Sequence, residues 1–376
     1  LDLLTTHLLL ENLTNVHLIE QSTSDRYRFH DLLRSYAASL ARQYDSTPDR
    51  EIAVKSLFIW YTHTAWICHA AAFPAHTRLP LQLPTPRNPT PIPDVAHALR
   101  WLDTEKVALL NALQEAARYG LHDLVVHLAH GLRFLNHKGA WTDLLKANRS
   151  GLSSARQIDD RVAESYFYIS HGETLLFMQR WTEALTDLNQ GLMLAYKITN
   201  LHYLSMALNA LGLLLIEQGQ FDGALEYLTK ALPFSRGVDA GRTEAVIEGN
   251  LSVVHNGLQR YKEALVHGER SLALRRRAGD LSGEGHALHQ LACAWNGLGN
   301  FHLAANLCRT AIAVEDGRQN LAHTVAGPLE TLAESLEHLG HRDESVQCRL
   351  EAARLYDDYG YPWRARRIRD ALERPS

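Results

Sequence analysis

Hydrophobic and small side chains recur along the chain in a pattern that repeats about every 40 residues. The clearest copy runs from Gln220 to Leu225, where an aromatic residue is followed two positions later by a small residue, an alanine and a leucine. Related copies begin at Ala140, Arg180, Arg260, Asn300 and His341. Six copies in register indicate a repeat protein, because self-similarity at a fixed period of this length is typical of stacked structural units.

Each copy contains two apolar stripes at helical spacing. In the clearest copy, Leu208 and Leu215 lie seven residues apart on one predicted helical face. Gly219 should end that helix, since glycine readily adopts the positive φ of a helix terminus. Gly212 is expected to face Ala224 where the two helices cross, because small side chains permit a close approach. The sequence therefore predicts an all-α array of about six helix pairs.

This small–aromatic–small layout resembles the tetratricopeptide repeat, lengthened from about 34 residues to the 40 seen here. The resemblance implies a superhelix of stacked helix pairs with a concave inner face. We assign residues 121–376 to this array. The recurring aromatic residues, among them Trp181, Phe221 and Tyr261, are expected to pack in the core rather than to hold a cofactor or a base.

A different pattern precedes the array. Two short apolar runs, Val16–Glu20 and Arg26–Phe29, flank a polar segment, which predicts a β-hairpin. Helices are predicted on either side, at Leu3–Glu11 and Asp31–Tyr44. The expected fold class is thus an all-α tetratricopeptide-repeat superhelix, preceded by a small winged-helix remnant that contains one hairpin.

The segment from Arg26 to Ala37 resembles the end of the winged-helix subdomain of an NB-ARC, or STAND-class, ATPase. In that family a His-Asp pair at this place closes over the bound nucleotide, and His30 and Asp31 match it. Phe29 stands where the family has methionine. No G-x-x-x-x-G-K-[ST] phosphate loop occurs in the chain. The resemblance therefore implies that His30 and Asp31 contact a nucleotide only in the intact protein. We expect no cofactor in this chain. ADP or ATP is expected in an ATPase part that this chain lacks.

The chain divides, by prediction, into three regions. Residues 1–46 form the winged-helix end, 47–120 a helical linker with a proline-rich loop at 74–94, and 121–376 the array. The whole layout resembles the C-terminal half of bacterial transcription regulators of the Streptomyces antibiotic regulatory protein type. That resemblance implies a cytoplasmic sensor array that controls an NB-ARC ATPase in signal transduction and in the regulation of antibiotic biosynthesis.

The first helix of each repeat should line the concave groove. Projecting the repeat register onto these helices gives the candidate partner-binding residues Tyr166, Glu173, Phe177, Met206, Asn209, Leu213, Glu217, Asn256, His286, His289, Asn296, Glu330 and Glu334. The asparagines could hold an extended peptide backbone, because an amide offers both a donor and an acceptor. The acidic end of the groove favours a basic partner segment.

The composition of the chain limits the classes of partner that it is expected to bind. A net charge of −4 argues against a general grip on nucleic acid, and no apolar run is long enough to span a membrane. No nucleophile or metal-binding motif occurs, so we expect neither an enzyme nor a metal site. A protein or peptide partner, including the parent's own ATPase module, is expected. A small-molecule metabolite receptor and a homo-oligomerisation scaffold remain the alternatives.

Overall fold

The computed structural model describes residues 3–23, 26–73, 79, 83, 85–236, 241–316 and 322–373. The hairpin-turn residues Ser24 and Asp25, and parts of the predicted proline-rich loop, lie outside this set. Within the loop, residues 85–94 contain neither helix nor strand. The chain forms two compact units, residues 1–60 and 61–376. The predicted division into three regions stays a prediction.

The first unit contains the predicted hairpin. Helix α1 (Leu3–Asn15) precedes the antiparallel strands β1 (Ile19–Thr23) and β2 (Arg26–Phe29), in which Ile19 pairs with Phe29. Helix α2 (Asp31–Tyr44) begins where it was predicted. Strand β1 starts later than predicted because α1 continues to Asn15, and carbonyl groups of its last turn accept hydrogen bonds from the amides of the residues that follow.

Helix α3 (Thr47–Ala72) is followed by α4 (Val95–Arg118). The first helix pair of the array consists of α5 (His122–Gly131), extended by a 3₁₀ helix (Leu132–Lys138), and α6 (Trp141–Gln157). A last helix, α17 (Pro362–Glu373), ends the described array. Between them lie five regular pairs: α7 (Arg161–Phe177) with α8 (Trp181–Lys197), α9 (Leu201–Glu217) with α10 (Phe221–Ser235), α11 (Arg242–Gly257) with α12 (Tyr261–Ala278), α13 (Leu281–Gly297) with α14 (Phe301–Asp316), and α15 (Ala322–His338) with α16 (Arg342–Asp358).

The recurring small and aromatic residues explain this packing. A Cβ on Gly212 would lie 2.8 Å from Cγ of Leu228, so only glycine lets α9 and α10 cross this closely. The ring of Phe221 packs against Gly257 of the next repeat, where a Cβ would approach the ring to 2.4 Å. Ala224 is completely buried. The predicted all-α superhelix is thus confirmed, and the partly buried rings of Phe221 and Tyr261 pack against glycines of the following repeat.

The two ends of the array meet, which no repeat pattern predicts. On one side lie Asn136–Trp141, Phe177 and Glu217, and on the other the segment Tyr356–Arg364; we call this contact the closure seam. The hydroxyl of Tyr359 donates to the carbonyl of Asn136, 223 positions earlier in the chain. As a result the array closes around a central channel.

Candidate partner-binding channel

The channel has a volume of about 1010 Å³ and is lined by the inner helices of successive repeats. Helices α7, α9, α11, α13 and α15 all contribute side chains to its wall, and the 3₁₀ helix and α17 complete it at the seam. Aliphatic side chains such as Leu213, Val246 and Val253 alternate with amides and charged groups. The wall can therefore offer apolar contacts and hydrogen bonds to the same ligand.

The sequence-predicted groove residues fall into three groups. Eight of them line the channel: Glu173, Phe177, Asn209, Leu213, Glu217, Asn256, His286 and His289. Tyr166 and Met206 are buried beneath the wall, with 1% and 9% of their surfaces exposed, and partner contact at these two positions stays a prediction. Asn296, Glu330 and Glu334 lie on α13 and α15, outside the channel lining.

The reason for the burial of Tyr166 is a neighbour that the sequence did not reveal. The guanidinium of Arg133 lies over the Tyr166 ring, 5.9 Å from its centroid, and 3.6 Å from a carboxylate oxygen of Glu173. Burial raises the pKa of the Glu173 carboxyl, while the nearby Arg133 opposes that rise. Arg133 lies on the 3₁₀ helix, whose inward direction the repeat pattern does not indicate.

The predicted amides are partly occupied by one another. Asn250 donates to the side-chain oxygen of Asn209 at 2.8 Å, and Asn256 donates to the carbonyl of Gln290 at 3.0 Å. These bonds run between neighbouring repeats and fix the side chains in the wall. The oxygen of Asn256 is buried without a hydrogen-bond partner among the described residues. The side-chain oxygen of Asn256 is thus an unsatisfied hydrogen-bond acceptor, although a ligand could reach it only after a local adjustment of the wall.

Arginines of α17 pair with two of the predicted groove carboxylates, Glu217 and Glu330. Arg364 makes two 2.8 Å hydrogen bonds to the carboxylate of Glu217, and Arg367 bonds Glu330 at 2.6 Å. Glu330 also accepts from the hydroxyl of Tyr356. The preference for a basic partner therefore stays a prediction, with less free negative charge behind it than the sequence suggested.

His289, one of the histidines that line the channel, belongs to a polar cluster on α13 and α15. Nε2 of His289 lies 3.0 Å from the hydroxyl of Thr331 and 3.4 Å from the Cys293 sulfur. Burial lowers the pKa of His289 to about 4 and raises that of the Cys293 thiol to about 11. At neutral pH the imidazole is therefore uncharged and the thiol protonated, so this cluster offers hydrogen bonds rather than a nucleophile.

The His-Asp pair of the first unit lies at the start of α2. His30 is 3.0 Å from Glu20 of β1, and Asp31 is 3.2 Å from Arg34; all four side chains are exposed. Both members are thus open to solvent within this unit. Their nucleotide contact in an intact protein stays a prediction.

The described residues contain neither a metal-binding cluster nor a membrane-spanning helix. Among them, no group of three or more histidine, cysteine, aspartate or glutamate side chains is placed to hold a metal ion. Within the same ranges, no helix combines the length and the apolar character needed to cross a bilayer.

Known proteins share this repeat. The tetratricopeptide-repeat family model matches residues 204–238 and 249–278. The chain is 26% identical to the "Regulatory protein AfsR" of Streptomyces griseus over 403 aligned positions, covering 97% of this chain and 40% of that protein. The protein of the same name from Streptomyces coelicolor is 26% identical, covering 71% of this chain and 27% of its own length. The chain thus spans two fifths or less of these relatives.

Solved structures agree on the fold. A signal transduction ATPase with numerous domains (STAND) from Pyrococcus horikoshii, with a tetratricopeptide repeat sensor, has a TM-score of 0.55 at 14% identity, covering 96% of this chain and 47% of that one. The apo form of RapI has a TM-score of 0.53 at 13% identity, covering 73% and 96%. A Rap protein complexed with Competence and Sporulation Factor has a TM-score of 0.52 at 14% identity, covering 72% and 81%. The resemblance to the repeat-bearing part of a STAND-type regulator is confirmed.

Proposed function

We propose that this chain is the sensor part of a signal-responsive transcription regulator, and that an extended segment of a protein or peptide partner binds in the channel. One observation carries the proposal. Residues from every inner helix of the array meet around a single channel of about 1010 Å³. Such concave surfaces are where helical repeat proteins bind their partners.

The chemistry of the wall supports a peptide-like ligand. Asn209, Asn250 and Asn256 form a row of amides across two adjacent repeats. Amides match the donors and acceptors of an extended backbone, while Leu213 and Val253 offer apolar contacts between them. A ligand that is polar along its backbone and apolar at intervals fits this alternation.

The comparisons support the regulatory setting. The relatives named above are called regulatory proteins, one structural neighbour is a STAND protein whose repeats are called a sensor, and another is a Rap protein in complex with Competence and Sporulation Factor. By analogy, ligand binding to this array would control an ATPase module, with His30 and Asp31 near its nucleotide. We place this activity in the cytoplasm and assign no catalysis to the repeats, in keeping with a non-catalytic repeat domain.

A matched pair of substitutions tests the channel as the binding site. Val253 lines the channel, whereas Val266 on α12 is 47% exposed and absent from the channel wall. Val253→Arg should place a long cation in the channel and abolish retention of the partner, while Val266→Arg should leave it unchanged. Retention is measured by native mass spectrometry of the chain captured from its host's extract, after thermal melting confirms that both variants are folded.

The outcomes separate the alternatives. A partner lost only from Val253→Arg supports the proposal, and a partner retained by both variants overturns the channel as its site. A bound mass of metabolite size, lost in the same way, would replace the peptide with a small-molecule effector. A concentration-dependent dimer or higher oligomer without another bound species would identify an oligomerisation scaffold instead.

A further inference from the structure

The closure seam joins the first and last parts of the array through contacts that the repeats themselves do not require. We propose that the segment Tyr356–Arg364 is a latch: it docks against Asn136–Trp141, Phe177 and Glu217, holds the array closed, and releases as a unit to open the channel. This deepens the proposed function and rests on it, since the latch closes the proposed binding site.

The backbone contact at Gly139 is the tightest point of the seam. A Cβ built on Gly139 would lie 2.1 Å from the carbonyl oxygen of Tyr359, much closer than any real contact allows. Gly139 also has φ of +62°, and it follows the 3₁₀ helix directly. Only a residue without a side chain therefore lets the latch backbone approach the start of α6 this closely.

Aromatic rings fill the space around that contact. Trp141 stacks on Phe177 with ring centroids 5.2 Å apart, and lies 5.6 Å from Tyr359 and 5.7 Å from Tyr361. Tyr361 in turn meets Trp363 edge to face at 4.9 Å. Such aromatic pairs add to the free energy gained from burying apolar area. Two of these rings come from the beginning of the array and three from its end, so opening the latch would separate them.

A charged contact fastens the latch on its inner side. The Arg364 guanidinium forms a bidentate pair with Glu217 and lies 5.5 Å from the Tyr361 ring and 5.7 Å from the Tyr356 ring. These side chains are partly exposed, at 33% for Arg364 and 22% for Glu217. The two hydrogen bonds hold the latch, while water can reach both side chains and replace those bonds. Such a contact suits a reversible closure.

The latch also forms part of the channel wall. Tyr356, Tyr361, Trp363 and Arg364 all line the channel. Withdrawal of the latch would remove this side of the wall and leave Glu217 without its cation. Such an opening would widen the access of an extended ligand to the channel, and the repeats on the opposite side need not unfold for it.

Two glycine substitutions test the latch without any ligand, so the result is independent of the proposed function. Gly139→Ala forces the Tyr359 backbone away. Gly219→Ala is the matched control: its φ of +72° imposes similar strain, but nothing lies within 4 Å of its Cβ. Amide hydrogen exchange, followed by mass spectrometry on the full chain, reports local opening. In Gly139→Ala we expect the amides of 356–364 to exchange about tenfold faster, with those of α10–α14 unchanged.

A charge substitution provides a second, less severe opening. Arg364→Met should speed exchange in 356–364 and in 136–141 together, because both sides of the seam lose the same contact. Arg349→Met is its control, since Arg349 pairs with Glu337, and neither residue of that pair lies in the latch or at the beginning of the array. Linked acceleration at both sides of the seam supports the latch. If both variants exchange at the same rate as their controls, the latch proposal is overturned. It is also overturned if exchange becomes faster throughout the array.

Discussion

The middle of the array and the closure seam are built from different kinds of contact. In the middle, from α9 to α14, each helix packs on helices near it in the chain, as Gly212 does on Leu228. At the seam, the contacts join residues as distant as Asn136 and Tyr359. Nearest-neighbour packing makes stability a sum over repeats, whereas the seam couples the two ends. The difference shows that one repeat unit sets the local fold, while accumulated geometry determines closure.

The largest expected effect lies in the middle of the array. Leu228 is fully buried between α9 and α10, so Leu228→Ala should lower the free energy of unfolding by about 2–5 kcal/mol through lost burial and a residual cavity. Leu281, which is 46% exposed, is the control and should change stability by less than about 0.5 kcal/mol when replaced by alanine. Denaturant unfolding followed by circular dichroism measures both. Equal losses would contradict the packing described for the middle repeats.

The seam should show a smaller but coupled effect. Glu217→Gln and Arg364→Met each leave one partner of a partly buried pair without its counter-charge, at a cost of about 1–3 kcal/mol. The double variant should lose less than the sum of the two, with a coupling energy of about 0.5–3 kcal/mol. Denaturant unfolding of the four proteins gives this cycle. Strict additivity would show that the two ends of the array do not communicate through this pair.

The third prediction concerns how the stability of the middle of the array depends on pH. Burial lowers the pKa of His289 to about 4, below its ordinary value of 6.5. The unfolded chain therefore binds a proton at this residue that the folded chain excludes, and stability falls as pH drops from about 6.5 towards 4. This residue should lower the free energy of unfolding by at most about 2 kcal/mol between pH 7 and pH 5. His289→Gln should remove that loss. Thermal or denaturant unfolding at both pH values tests it.

The neighbouring carboxyl has to be considered in that experiment. Burial raises the pKa of Glu334, which gives the opposite sign, because its folded form takes up a proton first as the pH falls. The comparison is therefore between the variant and the native chain at each pH. An unchanged pH dependence in the variant would contradict the burial of His289.

The smallest expected effect concerns the turns between helices. Thr199 and Gln259 adopt φ of +53° and +57°, where other repeats place glycine. Such a conformation is strained for a β-branched residue. Thr199→Gly should therefore raise stability by up to about 1 kcal/mol, reduced by the greater freedom of glycine in the unfolded chain. A small upward shift of the melting temperature checks this. A decrease would show that the side chain of Thr199 contributes more than its backbone strain costs.

The sequence predicted the structural role of a residue where that role depends on contacts within its own repeat. The spacing of Leu208 and Leu215, the glycine at 212 and the aromatic residue at 221 predicted a helix pair, its crossing and its core. Eight of the thirteen predicted groove residues line the channel, because helical periodicity determines which side of a helix a residue occupies. Tyr166 is buried beneath the channel wall, next to Arg133 of an irregular turn in the preceding pair, and helical periodicity does not indicate that depth.

The sequence alone determined the helices, their pairing and the direction of their inner faces, since these follow from contacts within about 40 residues. Only the tertiary structure decided which charges in the channel remain free and whether the array is open or closed. Each repeat adds a small rotation that no single repeat records, and the sum brings Arg364 to Glu217 and Tyr359 to Asn136. Contacts of that kind carry no periodic signal, because each occurs only once in the chain.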